Sequence, residues 1–187
     1  MDQGGRPIRE QGGERLAKAW LGLAITALGA SSLFVPVLVL SRLPGLREWE
    51  AWADWFPPAL VLHVDLAIIV WFLAMAGVWW SLATGRAAGG WGRAALGLAA
   101  VGTAVMVGGG LFGGGGAGLN NYFPVMRNTV FLGGALLFAT GCGLAALRGL
   151  FAGPDRSPWA ESAPGVGPVA ALVVGAALAT LARATFR

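Results

Sequence analysis

The chain has 187 residues, 56% of them hydrophobic and 12% charged, with a mean hydropathy of +0.68. A soluble domain carries about 25% charged residues, so this composition excludes an ordinary soluble globule and predicts an all-α, integral membrane helix bundle. The net charge of +4 comes from arginines set between apolar runs, which read as topology signals and lipid headgroup contacts rather than a nucleic-acid footprint.

Residues 1–15 are polar, carry Arg6, Arg9 and Arg15, and form an expected cytoplasmic tail. The first span covers residues 16–40, too long for a cleaved signal core, with a kink expected at Pro36. The following loop places Trp49, Trp52 and Trp55 at three-residue spacing among Arg42, Arg47, Glu48, Glu50 and Asp54. That pattern predicts a short amphipathic helix lying in the interface, ended by Phe56-Pro57-Pro58.

The second span, residues 59–82, is nearly unbroken apolar sequence and long enough to cross a hydrocarbon core of roughly 30 Å. It holds His63, the sole histidine, and Asp65. A third span over residues 94–112 is expected to dissolve into Gly108-Gly-Gly110 and Gly113-Gly-Gly-Gly116, where helix propensity is low. No Lys-Ser/Thr signature follows these glycines, so a phosphate-binding loop is not indicated. Asn120-Asn-Tyr-Phe-Pro124 leads into a fourth span, residues 125–147, with Arg127 near its start. After a polar linker, residues 151–164, comes a fifth span within residues 165–187. Cys142 stands alone in an apolar run and reads as a packing residue; CxxCH haem attachment is absent.

Five spans with a cytoplasmic amino terminus put eight lysines and arginines inside and five outside, counting Lys18 with the tail. This is the expected bias. The second span then enters from the outer face, with His63 about one turn below it.

Ionisable groups inside a membrane are expensive and mark functional candidates. Helical spacing sets Leu66, Ala67, Val70, Trp71, Ala74 and Gly77 on or near the His63 face, a smooth stripe with one large aromatic. Three readings of His63 follow: a neutral imidazole bonded to a carbonyl, an axial haem ligand, or part of a proton relay. Asp65 is poorly placed two residues on to orient His63, and is expected to meet Arg127, the Asn120/Asn121 loop or a ligand group.

The phrase His63-Val-Asp-Leu-Ala-Ile-Ile-Val-Trp-Phe-Leu-Ala-Met-Ala-Gly resembles helix II of subunit I of the haem–copper oxidases, most closely the bacterial cbb3-type cytochrome c oxidase subunit I. The Asn120-Asn-Tyr-Phe-Pro-Val loop resembles that family's link between helices III and IV. The resemblance covers residues 15–150, the four-helix domain, and only the amino-terminal portion of such a subunit. It implies a bacterial inner membrane, respiratory electron transfer and a low-spin haem b whose iron is held by His63. Cofactor contacts are then expected from Ala67, Trp71, Asp65 and Arg127. The family's other haem and copper ligands lie on later helices, and this chain has no second histidine. By itself it is no complete oxidase, so a homodimer or further membrane subunits must supply the second axial ligand. The competing expectation is a structural or assembly membrane subunit without cofactor. A small transporter is weaker, because inverted repeats and midplane polarity are missing.

Overall fold

A computed structural model of the chain describes residues 8–45, 50–83, 89–119 and 124–151. It is a helix bundle: α1 (Ile8–Ser32), α2 (Val35–Leu40), α3 (Glu50–Val64), a π-helical segment (Asp65–Val70), α4 (Trp71–Ala83), α5 (Gly90–Phe112) and α6 (Thr129–Phe151). Two short strands, β1 (Ala117–Gly118) and β2 (Val125–Met126), pair antiparallel between α5 and α6. Four stretches are long and apolar enough to cross a membrane: Gly12–Leu40, Asp54–Leu82, Gly90–Phe112 and Thr129–Arg148. This is a multi-pass membrane protein. The expected fifth span lies outside the described residues.

The first span breaks ahead of Pro36 rather than bending at it. A proline ring clashes with the carbonyl four residues back, here that of Ser32, and α1 ends at Ser32. Leu33 and Phe34 turn, and α2 restarts with the proline in its first turn, where a missing N–H costs nothing.

Prolines behave differently at the second span. Pro57 and Pro58 lie inside α3, so the tryptophan-bearing segment and the second span form one continuous helix, against the expected break. The two lost hydrogen bonds free carbonyls at Ala53 and Asp54, and Asp54 is exposed, at an end where water or headgroups replace the missing donors.

The glycines of the third span do not end it either. α5 runs through Gly108, Gly109 and Gly110, because tertiary packing overrides their poor propensity. A side chain at Gly109 would overlap the backbone of Phe131, and one at Gly110 would strike Leu62 of α3. The same fit repeats along the α5–α6 seam, where Gly102 faces the backbone of Gly134 and Phe138, and Gly141 faces Ala95 and Ala99. Close backbone approach through small residues is how helices associate where lipid removes the hydrophobic driving force.

At the loop end of this seam Asn128 joins both helices. Its Oδ1 accepts the Phe131 N–H at 2.7 Å, capping α6. Its Nδ2 donates to the carbonyls of Gly109 (3.0 Å) and Gly114 (2.9 Å) beyond the end of α5. Gly114 and Gly115 reach φ of +61° and +83°, which glycine adopts without cost. Within the spans, Ser81 and Thr103 turn their hydroxyls back to carbonyls four residues earlier, the usual way to satisfy such groups away from water.

The seam makes a paired prediction. Gly102→Leu forces backbone apart and is expected to destabilise the detergent-solubilised protein by about 2 kcal/mol or more. Gly97→Leu, on the same helix with nothing within 4 Å of its added Cβ, is expected to leave the thermal unfolding midpoint unchanged. Equal effects of the two would remove the seam from the account.

Candidate functional site: the Ser31–His63 latch and the buried Asp65

The break before Pro36 prepares the site. The last carbonyls of a helix lack intrahelical donors, and Ser31 sits at this end with its side chain buried. Its carbonyl accepts the Phe34 N–H at 3.1 Å and lies 3.0 Å from His63 Nδ1. The Ser31 hydroxyl is 2.9 Å from the same nitrogen and donates to the His63 carbonyl at 2.9 Å. The two residues thus hold each other through side chain and main chain, latching the first span to the second.

The proton positions follow from the partners. A carbonyl only accepts, so His63 Nδ1 carries the hydrogen and donates to Ser31. The hydroxyl hydrogen is committed to the His63 carbonyl, leaving a lone pair on Oγ to share the Nδ1–H. Nε2 therefore carries the basic lone pair, and it makes no hydrogen bond among the described residues. His63 is half-buried, so this nitrogen is presented at the edge of the bundle.

Two residues on, the helix widens. From Asp65 to Val70 the ladder is π-helical, with the Trp71 N–H reaching the carbonyl of Leu66. Once the Ser31 hydroxyl takes up the His63 carbonyl, that turn depends less on its own amide and the ladder slips more readily. Ala59, Leu62, Leu66, Val70, Leu73 and Gly77 are all buried along the second span. Leu62 packs on Gly110 of α5, and Gly77 lies under the indole of Trp20 of α1.

Asp65 opens the π-segment at 0% exposure. Neither carboxylate oxygen has a hydrogen-bond partner among the described residues. An unbonded polar group costs several kcal/mol in hydrocarbon, and π-turns recur at functional sites, so Asp65 is the second element of the candidate site. Arg127 does not pair with it. The Arg127 side chain is exposed in the link from β2 to α6, while Asp65 lies inside the bundle.

The predicted cofactor-lining residues accordingly separate. His63, Ala67 and Trp71 are each half-buried and follow one another at four-residue spacing along one edge of the helix. Asp65 points into the core, and Arg127 belongs to the hairpin end. Among the described residues no group of three or more His, Cys, Asp or Glu gathers as a metal site. Asn120, Asn121 and Tyr122 lie outside the described residues. Sequence reasoning missed Ser31 and Asn128; the signals for them are a serine five residues before a proline, and an amide directly before an apolar run.

No family model matches the sequence, and no solved structure matches it. An uncharacterized protein of Aquifex aeolicus (strain VF5) is 35% identical over 134 residues, covering 69% of this chain and 32% of that protein. An uncharacterized protein of Rickettsia prowazekii (strain Madrid E) is 42% identical over 65 residues, 34% of this chain and 13% of that protein. The chain therefore spans well under half the length of either relative.

Removing the Ser31 hydroxyl tests the latch directly. Ser31→Ala is expected to cost about 0.5–1.5 kcal/mol, since it removes the hydroxyl's bond to the His63 carbonyl and its contact with Nδ1. A double-mutant cycle with His63→Ala is expected to show a coupling between about 0.5 and 3 kcal/mol. Additive effects would mean that the hydroxyl–imidazole contact contributes nothing and that only the bonds to main-chain carbonyls hold the two residues together.

Proposed function

We propose that the chain is a haem b-binding membrane subunit, a short or split relative of cytochrome oxidase subunit I that takes part in electron transfer with a partner. The observation that carries this reading is the orientation of His63. An imidazole that ligates a metal characteristically donates its other N–H to a carbonyl or carboxylate, which fixes tautomer and ring direction. Here Nδ1 is tied to Ser31, and Nε2 has its lone pair at a half-open edge beside Ala67 and Trp71. These residues fit a porphyrin lying against that edge, with His63 holding the iron and Trp71 packing on the ring. Bound haem would supply one-electron redox chemistry. The chain's own part is to hold the imidazole rigid with Nδ1 turned to Ser31, and to cover one side of the site with apolar surface.

A single histidine leaves iron one axial ligand short. The open edge calls for a second copy across a two-fold axis or further membrane subunits, and the greater length of both relatives suits a bundle that works beside more protein. The motif resemblance of residues 15–150 to oxidase subunit I, the arginine distribution and the bacterial relatives support an inner-membrane location with a cytoplasmic amino terminus and a fifth span.

One observation favours a second reading. The reciprocal Ser31–His63 bonds make a sound structural latch without any cofactor, as in a non-catalytic structural or assembly subunit.

One pair of measurements separates the two. If the haem reading holds, purified protein shows a reduced-minus-oxidised haem b spectrum that His63→Ala abolishes. Ser31→Ala is expected to keep haem but shift its midpoint potential modestly, because the ligand loses one of its two acceptors while the Ser31 carbonyl remains. Haem-free protein from haem-replete cells, with His63→Leu lowering only the unfolding midpoint, would establish the latch in place of the cofactor.

A further inference from the structure

A cavity of about 340 Å³ opens where α3 begins and α5 ends, inside the size range of small-molecule sites, roughly 300–1,000 Å³. Its lining includes Asp54 and Trp55 from the start of α3, Pro57 and Pro58 of the next turn, and Gly110 and Leu111 from the last turn of α5. His63 is not part of it, so it does not depend on the haem reading.

Gly114, Gly115, Gly116, Ala117 and Met126 complete the lining and bring backbone N–H groups to it, but its charged and aromatic groups favour a cation. The C-terminal end of a helix concentrates partial negative charge on carbonyls that lack donors. In α5 the Gly113 N–H returns to Gly109, and no N–H among the described residues reaches the carbonyls of Gly110 or Leu111. Gly114 and Gly115 turn to positive φ, which carries the chain away from the helix path. Asp54 adds a full negative charge with no ion pair among the described residues, and Trp55 adds an indole, the best aromatic partner for a cation. The two prolines bring no backbone donor, and among the described residues no basic side chain lines the cavity. Acceptors, an acid and an aromatic ring around one space are the elements of an ammonium-binding site.

We propose that this cavity binds an ammonium-bearing ligand, with Asp54 as counter-ion, Trp55 as the aromatic contact and the end of α5 as neutral acceptor. Its place at the ends of two spans puts it at headgroup depth, where tryptophan also concentrates. Two sources share the chemistry: the ethanolamine headgroup of a phospholipid, and a free primary amine from the aqueous side.

The test uses the full chain in detergent, mixed with equal amounts of phosphatidylethanolamine and phosphatidylglycerol, with retained lipid read by native mass spectrometry. Wild type is expected to retain phosphatidylethanolamine about tenfold over phosphatidylglycerol, and Asp54→Asn to lose that preference, as removal of one charge-assisted contact implies. Trp55→Leu weakens retention, and Asp54→Glu preserves it, which separates loss of charge from loss of fold. Calorimetric binding of free ethanolamine distinguishes the sources. Asp54-dependent ethanolamine binding without a phospholipid preference assigns the site to a soluble amine. If neither probe binds, or if Asp54→Asn binds both as wild type does, the cavity is no ammonium site.

Discussion

The arrangement rests on one carbonyl made available by a proline. Pro36 cannot continue the first span, so the helix stops at Ser32 and the Ser31 carbonyl, already bonded to the Phe34 N–H of the terminal turn, keeps a lone pair at the helix end. Inside a bilayer a second donor has to come from the protein. His63 Nδ1 provides it, and the Ser31 hydroxyl donates to the carbonyl of His63. A backbone interruption in one helix thereby fixes the tautomer of a ring on another.

The latch also explains what the remaining helices do. α1 packs chiefly on α4, with Trp20 over Gly77, while α5 and α6 lock through glycines that admit no side chain. The second span, made of α3, the π-segment and α4, packs on both α1 and the α5–α6 pair. Leu62 fits against Gly110 of α5 above the π-segment, and Gly77 receives Trp20 below it. The π-segment lies between these two contacts, so one helix serves a different neighbour on each side of it.

Much of this was legible in the residues. Hydropathy marks all four described spans, and the position of His63 near one end of the second span follows from counting along it. What periodicity cannot supply is the fate of individual backbone groups. Pro36 and Pro57-Pro58 look alike as breakers, yet one ends a helix and the other two lie inside one. Gly108 to Gly110 have poor helix propensity, but a partner helix pressed against them outweighs it. The separation of Asp65 from Arg127 was equally hidden, because a π-turn alters which residues share a face and no spacing rule announces one.

Asp65 is the point at which structural economy fails. Every other polar side chain discussed within the spans has a partner: Ser31 has His63, Ser81 and Thr103 have their own helix, Asn128 has two helix ends. A valine would fill the Asp65 position with no orphaned oxygens and better β-carbon packing, so local stability does not account for the carboxyl. Its placement at the first π residue joins the two least regular features of the span, and a wide turn is easier to rearrange than an α-turn. Movement of that turn would alter the surroundings of Asp65 and the carbonyl of His63 together, since the latter sits directly upstream. The Ser31–His63 latch is therefore joined to a carboxyl in the core through the first turn of the π-segment.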